Sequence, residues 1–182
     1  MKRLFVGIPL SSDLKQGIEP LLTELKLPGI SPVAMENLHL TLKFLGEVEE
    51  EKILKIQEKL SQLASLTPSF RVELQGIGAF PNLKQPKVVW IGTESKELVK
   101  LMREADKEWN DIRQNEHPAE MPHLTLARIK STNEFLLRSF LHRYSNQNWG
   151  SLKVDRICLY EATLTPTGPI YAVLSENKLK MS

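Results

Sequence analysis

His39-Leu40-Thr41-Leu42 and His123-Leu124-Thr125-Leu126 are one tetrapeptide written twice in a chain of 182 residues. Each copy opens an apolar run that reads as a strand, and successive side chains of a strand point to opposite faces. His39 and Thr41 therefore share one face while Leu40 and Leu42 share the other, and the second copy repeats this. The leucines suit burial in a core. An imidazole and a hydroxyl are left side by side on the opposite face of each strand. Nearly half the chain separates the copies, which predicts two similar halves that each lend a strand to a shared site.

The elements around the motifs fit such a duplication. Leu4 to Ile8 is a short apolar run closed by Pro9, as in a central strand. Ser11 or Ser12 can cap a helix with Leu14, Ile18, Leu21, Leu22 and Leu25 on one stripe. Pro20 within it predicts a kink or a late restart. The first motif strand reads from Leu38 to Leu45 and stops at Gly46. Glu49, Glu50 and Glu51 then favour the start of a helix that buries Ile53, Ile56, Leu60 and Leu63. Phe70 to Leu74 alternates as a half-buried strand, and Gly76, Gly78, Pro81 and Asn82 mark turns. Val88 to Ile91 is a further strand, and Leu98, Leu101, Met102, Ala105, Trp109 and Ile112 define a third helix.

A polar loop from Gln114 to Pro122 leads into the second motif strand, His123 to about Ile129. Ser131 and Glu134 form a possible capping box for a short helix through Leu141. Two last strands, about Leu152 to Leu164 and Ile170 to Leu174, flank Pro166-Thr167-Gly168-Pro169. The pattern is α+β with mainly antiparallel pairing. No linker or low-complexity stretch divides it, so residues 1–182 read as a single domain.

Composition narrows the function classes. With 24 basic and 22 acidic residues the net charge is +2, too small for a broad grip on duplex nucleic acid. An acidic ligand needs a local site. The one cysteine, Cys158, excludes an internal disulfide or a cysteine-cluster metal site and reads as a reduced, partly buried thiol. No apolar stretch approaches a membrane span or a signal-peptide core. The expectation is a cytoplasmic protein with no membrane partner.

Two imidazoles and two hydroxyls around one cavity suit cleavage of a phosphodiester without a metal. Attack at phosphorus needs a base to take a proton from water and an acid to protonate the departing oxygen, and histidine serves for both near neutral pH. Threonine hydroxyls can donate to the non-bridging oxygens as charge builds there. Arg128 is the local candidate for further anion binding, although strict alternation from His123 puts it on the far face unless the strand bulges. One histidine on a strand is ordinarily just a satisfied polar residue, but an identical repeat is not so explained. The other two histidines, His117 in a polar loop and His142 near a helix end, fit no pattern. A third ligand for zinc is not evident beside His39 and His123.

These residues resemble the two-histidine phosphoesterase superfamily, and within it the LigT-like RNA 2′,3′-cyclic phosphodiesterases. The resemblance extends beyond the tetrapeptides to Arg3 through Ile8, Glu36 through Gly46, Gly76 through Asn82, Pro86 through Gly92, Pro122 through Arg128 and Val154 through Leu164. It implies a bilobal fold of two pseudo-symmetric lobes, with mainly antiparallel sheets, flanking helices and the active site in the cleft between them. It implies hydrolysis of an RNA terminal 2′,3′-cyclic phosphate to a 2′-phosphate, with no cofactor or metal and with the protein a monomer. His39 would be the proton donor to the leaving 3′ oxygen, and His123 the proton acceptor that activates water. Thr41, Thr125 and Arg128 would hold the phosphate, and the RNA could include tRNA fragments.

Three other readings use the same features: a 2′,5′-RNA ligase or phosphodiesterase, a small cyclic-phosphate hydrolase, and a non-catalytic RNA-binding module. The sequence departs from the family at two places beside the expected cleft. Ser31 to Met35 lacks the aromatic that often precedes the first motif, and Glu120 stands where another often precedes the second. Both bear on base stacking.

Overall fold

The computed structural model describes residues 1–113, 121–131, 134–166 and 168–181. In chain order its main elements are β1 (Lys2–Pro9), α1 (Ser12–Glu24), β2 (Ile30–Pro32), β3 (His39–Val48), α2 (Ile53–Leu66), β4 (Phe70–Phe80) and β5 (Val88–Gly92). There follow α3 (Lys96–Glu108), β6 (His123–Ile129), α4 (Glu134–Tyr144), β7 (Asn148–Val154), β8 (Arg156–Thr165) and β9 (Gly168–Lys178).

Among the described residues nine strands form one sheet, ordered β7-β4-β5-β6-β3-β1-β8-β9, with β2 paired to β6. The named strand pairs are all antiparallel. The order is symmetric about its middle. One lobe runs β3-β1-β8-β9 and the other β6-β5-β4-β7, and they meet where Leu40 of β3 faces Leu124 of β6. This is the α+β, two-lobed arrangement that the repeated motif implied. The halves also exchange helices. α1, which follows β1, packs against β7 of the opposite lobe, and α3, which follows β5, packs against β3. The main apolar core holds Leu40, Leu42, Leu124 and Leu126 with the helix stripes, and Phe5, Cys158 and Tyr160 form a second, smaller cluster. Burial of this kind contributes about 25 cal/mol per Å² of apolar surface, so the leucines hold the motif strands firmly in face.

Several expectations need correction. α1 runs unbroken through Pro20, capped by Ser11, whose hydroxyl accepts from the Leu14 amide. Pro20 is exposed, so the carbonyl that loses its helical donor faces water, while buried Leu14, Ile18, Leu21 and Leu22 hold the stripe. β3 does not stop at Gly46. It continues to Val48, with Gly46 at φ +73°.

Gly76 and Gly78 lie inside β4 rather than in turns, Gly76 at φ +67° where the pairing with β5 shifts register. The stretch read as one strand from Leu152 is two. β7 ends at Val154 and pairs with β4, while β8 begins at Arg156 and pairs with β1, so the chain changes lobe at Asp155. β2 escaped the sequence reading because three residues carry no periodicity. The proposed Ser131 capping box and most of the polar loop lie partly or wholly outside the described residues. No described helix is long and apolar enough to cross a membrane.

Candidate active site

Leu40 pairs with Leu124, and antiparallel geometry carried one residue to either side sets His39 level with Thr125 and Thr41 level with His123. The two histidines then stand on a diagonal, where residues of an antiparallel pair lie about 7–8 Å apart. All four polar side chains are half-buried, and the leucines between them are buried.

Both imidazoles are held in the same way. His39 Nδ1 lies 2.6 Å from the Asn37 carbonyl, and His123 Nδ1 lies 2.9 Å from the Met121 carbonyl. A carbonyl only accepts, so Nδ1 carries the hydrogen in each ring and Nε2 is left for chemistry. Thr41 Oγ1 is 3.0 Å from His39 Nε2, where its hydroxyl donates to the neutral ring. Burial pushes the His39 imidazole down to about 4, and the charges of Lys15 and His123 add to that, against the Asn37 hydrogen bond. Burial also lowers His123, opposed by the Met121 carbonyl. Both rings are therefore neutral at pH 7 while no anion is present.

Aromatic side chains cause that burial, and the sequence reading did not find them. His39 packs against Phe5 at 4.7 Å between ring centroids and against the edge of Tyr171 at 5.3 Å, with Tyr160 stacked on Phe5 at 4.8 Å. His123 meets Phe80 edge-on at 4.9 Å, and Phe80 packs on Trp90 at 5.0 Å. Five strands supply these rings, so no local periodicity points to them. Met35, in the stretch that lacks an aromatic before the first motif, packs half-buried against the core. Glu120 and His117 lie outside the described residues, and His142 sits in the last turn of α4.

Arg128 reaches the open face after all. β6 pairs Val89 with Ala127 but Trp90 with Thr125, so one residue is extra and the alternation slips. Ala127 is buried and Arg128 is exposed, and the Arg128 charge acts on the half-buried Tyr171 hydroxyl, which burial itself pushes up. β3 carries the equivalent slip. There Lys43 is buried and ion-paired with Asp106 of α3, while Phe44 is exposed.

A second tie holds the first motif alone. Asn37 is buried, and its Nδ2 donates to the Pro169 carbonyl at 2.7 Å. The carbonyl that orients His39 is thereby fixed to the β8–β9 hairpin that carries Tyr171. His123 also borders a groove of about 1310 Å³, lined by β4, β5 and the first half of α3. Among the described residues no three histidine, cysteine, aspartate or glutamate side chains converge so as to hold a metal ion.

Known proteins resemble this chain in sequence and in fold. The family described as LigT like Phosphoesterase matches twice, over residues 8–90 and 91–171, one match for each motif. An RNA 2′,3′-cyclic phosphodiesterase of Methanocaldococcus jannaschii is 37% identical over 175 residues, 96% of this chain and 99% of the relative. A crystal structure of a Thermus thermophilus protein superposes with a TM-score of 0.83 at 28% identity, covering 97% of each chain. The E. coli LigT structure complexed with 3′-AMP gives 0.78 at 27% identity, covering 98% of each.

Proposed function

This chain belongs to the LigT-like phosphoesterase family, and on that premise we propose that it hydrolyses the terminal 2′,3′-cyclic phosphate of RNA to a 2′-phosphomonoester. A water oxygen attacks phosphorus, and His123 Nε2 takes the proton released. The bond from phosphorus to the 3′ oxygen breaks opposite, and His39 Nε2 gives its proton to that oxygen. Thr41 and Thr125 donate to the non-bridging oxygens, and Arg128 supplies positive charge at the end of the cleft.

The observation that carries this reading is the matched tethering of two imidazoles across one strand pair, each with Nε2 clear of the backbone tie. His39 must carry a proton to act as the acid, and burial resists that in the empty cleft. A phosphodiester anion seated between the rings reverses the balance, most at His39, where water screens least. An acid released from such a site is strong enough to protonate an alkoxide. The chemistry asks for no metal, and residues 1–182 serve it as a single bilobal domain. A monomer in the cytoplasm goes with that reading, as does a substrate drawn from RNA fragments, those of tRNA among them.

The direct test offers the protein an RNA ending in a 2′,3′-cyclic phosphate and identifies the product. A 2′-phosphate formed at the same rate in a chelator is the expected result. A 3′-phosphate would exchange the leaving oxygen, and loss of the rate in chelator would require a metal.

A further inference from the structure

The groove beside His123 is lined as a single strand of nucleic acid would require, and its features come from three separate elements. α3 places Lys96, Lys100 and Arg103 on the groove wall, at the i, i+4, i+7 spacing of one helical stripe. Lys96 stands in the first turn, at the positive end of the helix dipole, where a lysine is unfavourable unless an anion docks there. Glu73 and Glu94 also reach the lining, and Glu104 lies 3.8 Å from Lys100. The positive field is thus a narrow line along α3 and not a broad patch.

The floor is built for a flat ring. Gly78 pairs directly with Trp90, and Gly92 follows on the same face of β5. A methyl group added at Gly78 would stand 2.3 Å from Trp90 Cζ2, and one at Gly92 would stand 3.1 Å from Cζ3. The indole therefore lies low across two glycines, supported from beneath. Thr93 also lines the groove and is 8% exposed, and among the described residues neither its hydroxyl nor the indole Nε1 of Trp90 has a hydrogen-bond partner. Buried polar atoms are rarely left so unless a ligand or water meets them.

We propose that the RNA segment bearing the cyclic phosphate runs from the two histidines along α3, with one base stacked on Trp90 and successive phosphates beside Lys96, Lys100 and Arg103. This rests on the proposed action at RNA ends and adds a substrate class to it: single-stranded oligoribonucleotides in preference to mononucleotides. Stacking on an aromatic platform beside a cationic track is how strands are held without sequence preference. The groove, larger than a pocket for one small ligand, has room for more than one nucleotide.

The test has two readouts. Binding of a 5′-labelled single-stranded oligoribonucleotide ending in a 2′-phosphate is followed by anisotropy at several salt concentrations. The combined variant Lys96→Glu, Lys100→Glu, Arg103→Glu changes exposed side chains only, and its Kd should rise at least tenfold. Its log–log salt slope should become shallower by about 2, as loss of three phosphate contacts requires. Trp90→Leu should raise Kd about fivefold or more with no change of slope. The second readout is the ratio of kcat/KM for a cyclic-ended oligoribonucleotide to that for a nucleoside 2′,3′-cyclic monophosphate. That ratio should fall at least tenfold in the charge variant.

A wild-type protein that fails to bind the oligonucleotide, or a charge variant with Kd and slope unchanged, overturns the groove assignment. If binding responds as stated but neither cyclic phosphate is opened, the groove stands and the catalytic reading falls.

Discussion

Leu40 and Leu124 face each other across the line where the two lobes join, 1% and 0% exposed. Each is flanked by a histidine and a threonine, and because the strands run antiparallel the histidines fall on opposite corners of the square. Two buried leucines thus set where the two imidazoles stand along the seam of the lobes.

Removing either ring should remove one proton transfer. His39→Ala and His123→Ala are each expected to lower kcat by about 10²–10⁴-fold, the reach of a general acid or base. The double variant should be little worse than either single one, because the pair acts as a unit. Turnover of a cyclic-ended RNA by protein of unchanged circular dichroism checks this. Full activity in both single variants would end the two-imidazole mechanism.

The depressed His39 has a consequence for stability. Its folded value, about 4, lies below the unfolded value of about 6.5, so between those limits the unfolded chain binds more protons. The contribution is complete above pH 6.5 and is lost as pH falls toward 4, roughly 1–2 kcal/mol by about pH 5. Denaturant titrations at pH 7 and pH 5 should show that loss in the wild type, and a smaller one in His39→Leu. Equal losses would mean that His39 is not buried as a neutral ring.

Asn37 should act on catalysis through His39. Asn37→Ala leaves the Pro169 carbonyl without its donor and frees the carbonyl that holds Nδ1. The expected result is a drop in kcat of about tenfold, a stability loss of about 1–2 kcal/mol, and a mixed His39 tautomer by nitrogen NMR. A pure Nδ1–H tautomer in the variant would show that the hairpin tie is structural alone.

The Lys43–Asp106 pair should respond unequally to its two deletions. The Lys43 side chain is wholly buried, whereas that of Asp106 is 33% exposed. Asp106→Asn weakens the partner of a buried ammonium and is expected to cost about 2–4 kcal/mol. Lys43→Met fills the same space without charge and should cost less than about 1 kcal/mol. Urea denaturation of both variants measures the difference, and equal costs would refute the argument.

Much of the site was legible because its logic is local. His-Leu-Thr-Leu carries its own facing rule, and the leucine stripes of α1 and α3 announced their buried sides with no knowledge of what would cover them. Arg128 was named from its residue type on the condition that β6 bulges, and whether it does is settled by pairing with β5, which no single strand spells out. Phe5, Tyr160, Tyr171, Phe80 and Trp90 were not found, since each sits in a strand whose apolar composition suits any core.

The sequence by itself determined that there are two motif strands, which side chains each presents, and that the halves are alike. These follow from the period of a strand and from the burial of leucine, both readable over a few residues. Only the tertiary structure decided which rings surround the histidines, that Asn37 reaches Pro169, and that α3 walls a groove beside His123. Those relationships depend on register between strands far apart in the chain and on bulges that shift it. Hydrogen bonding between strands sets both, and no single strand encodes them.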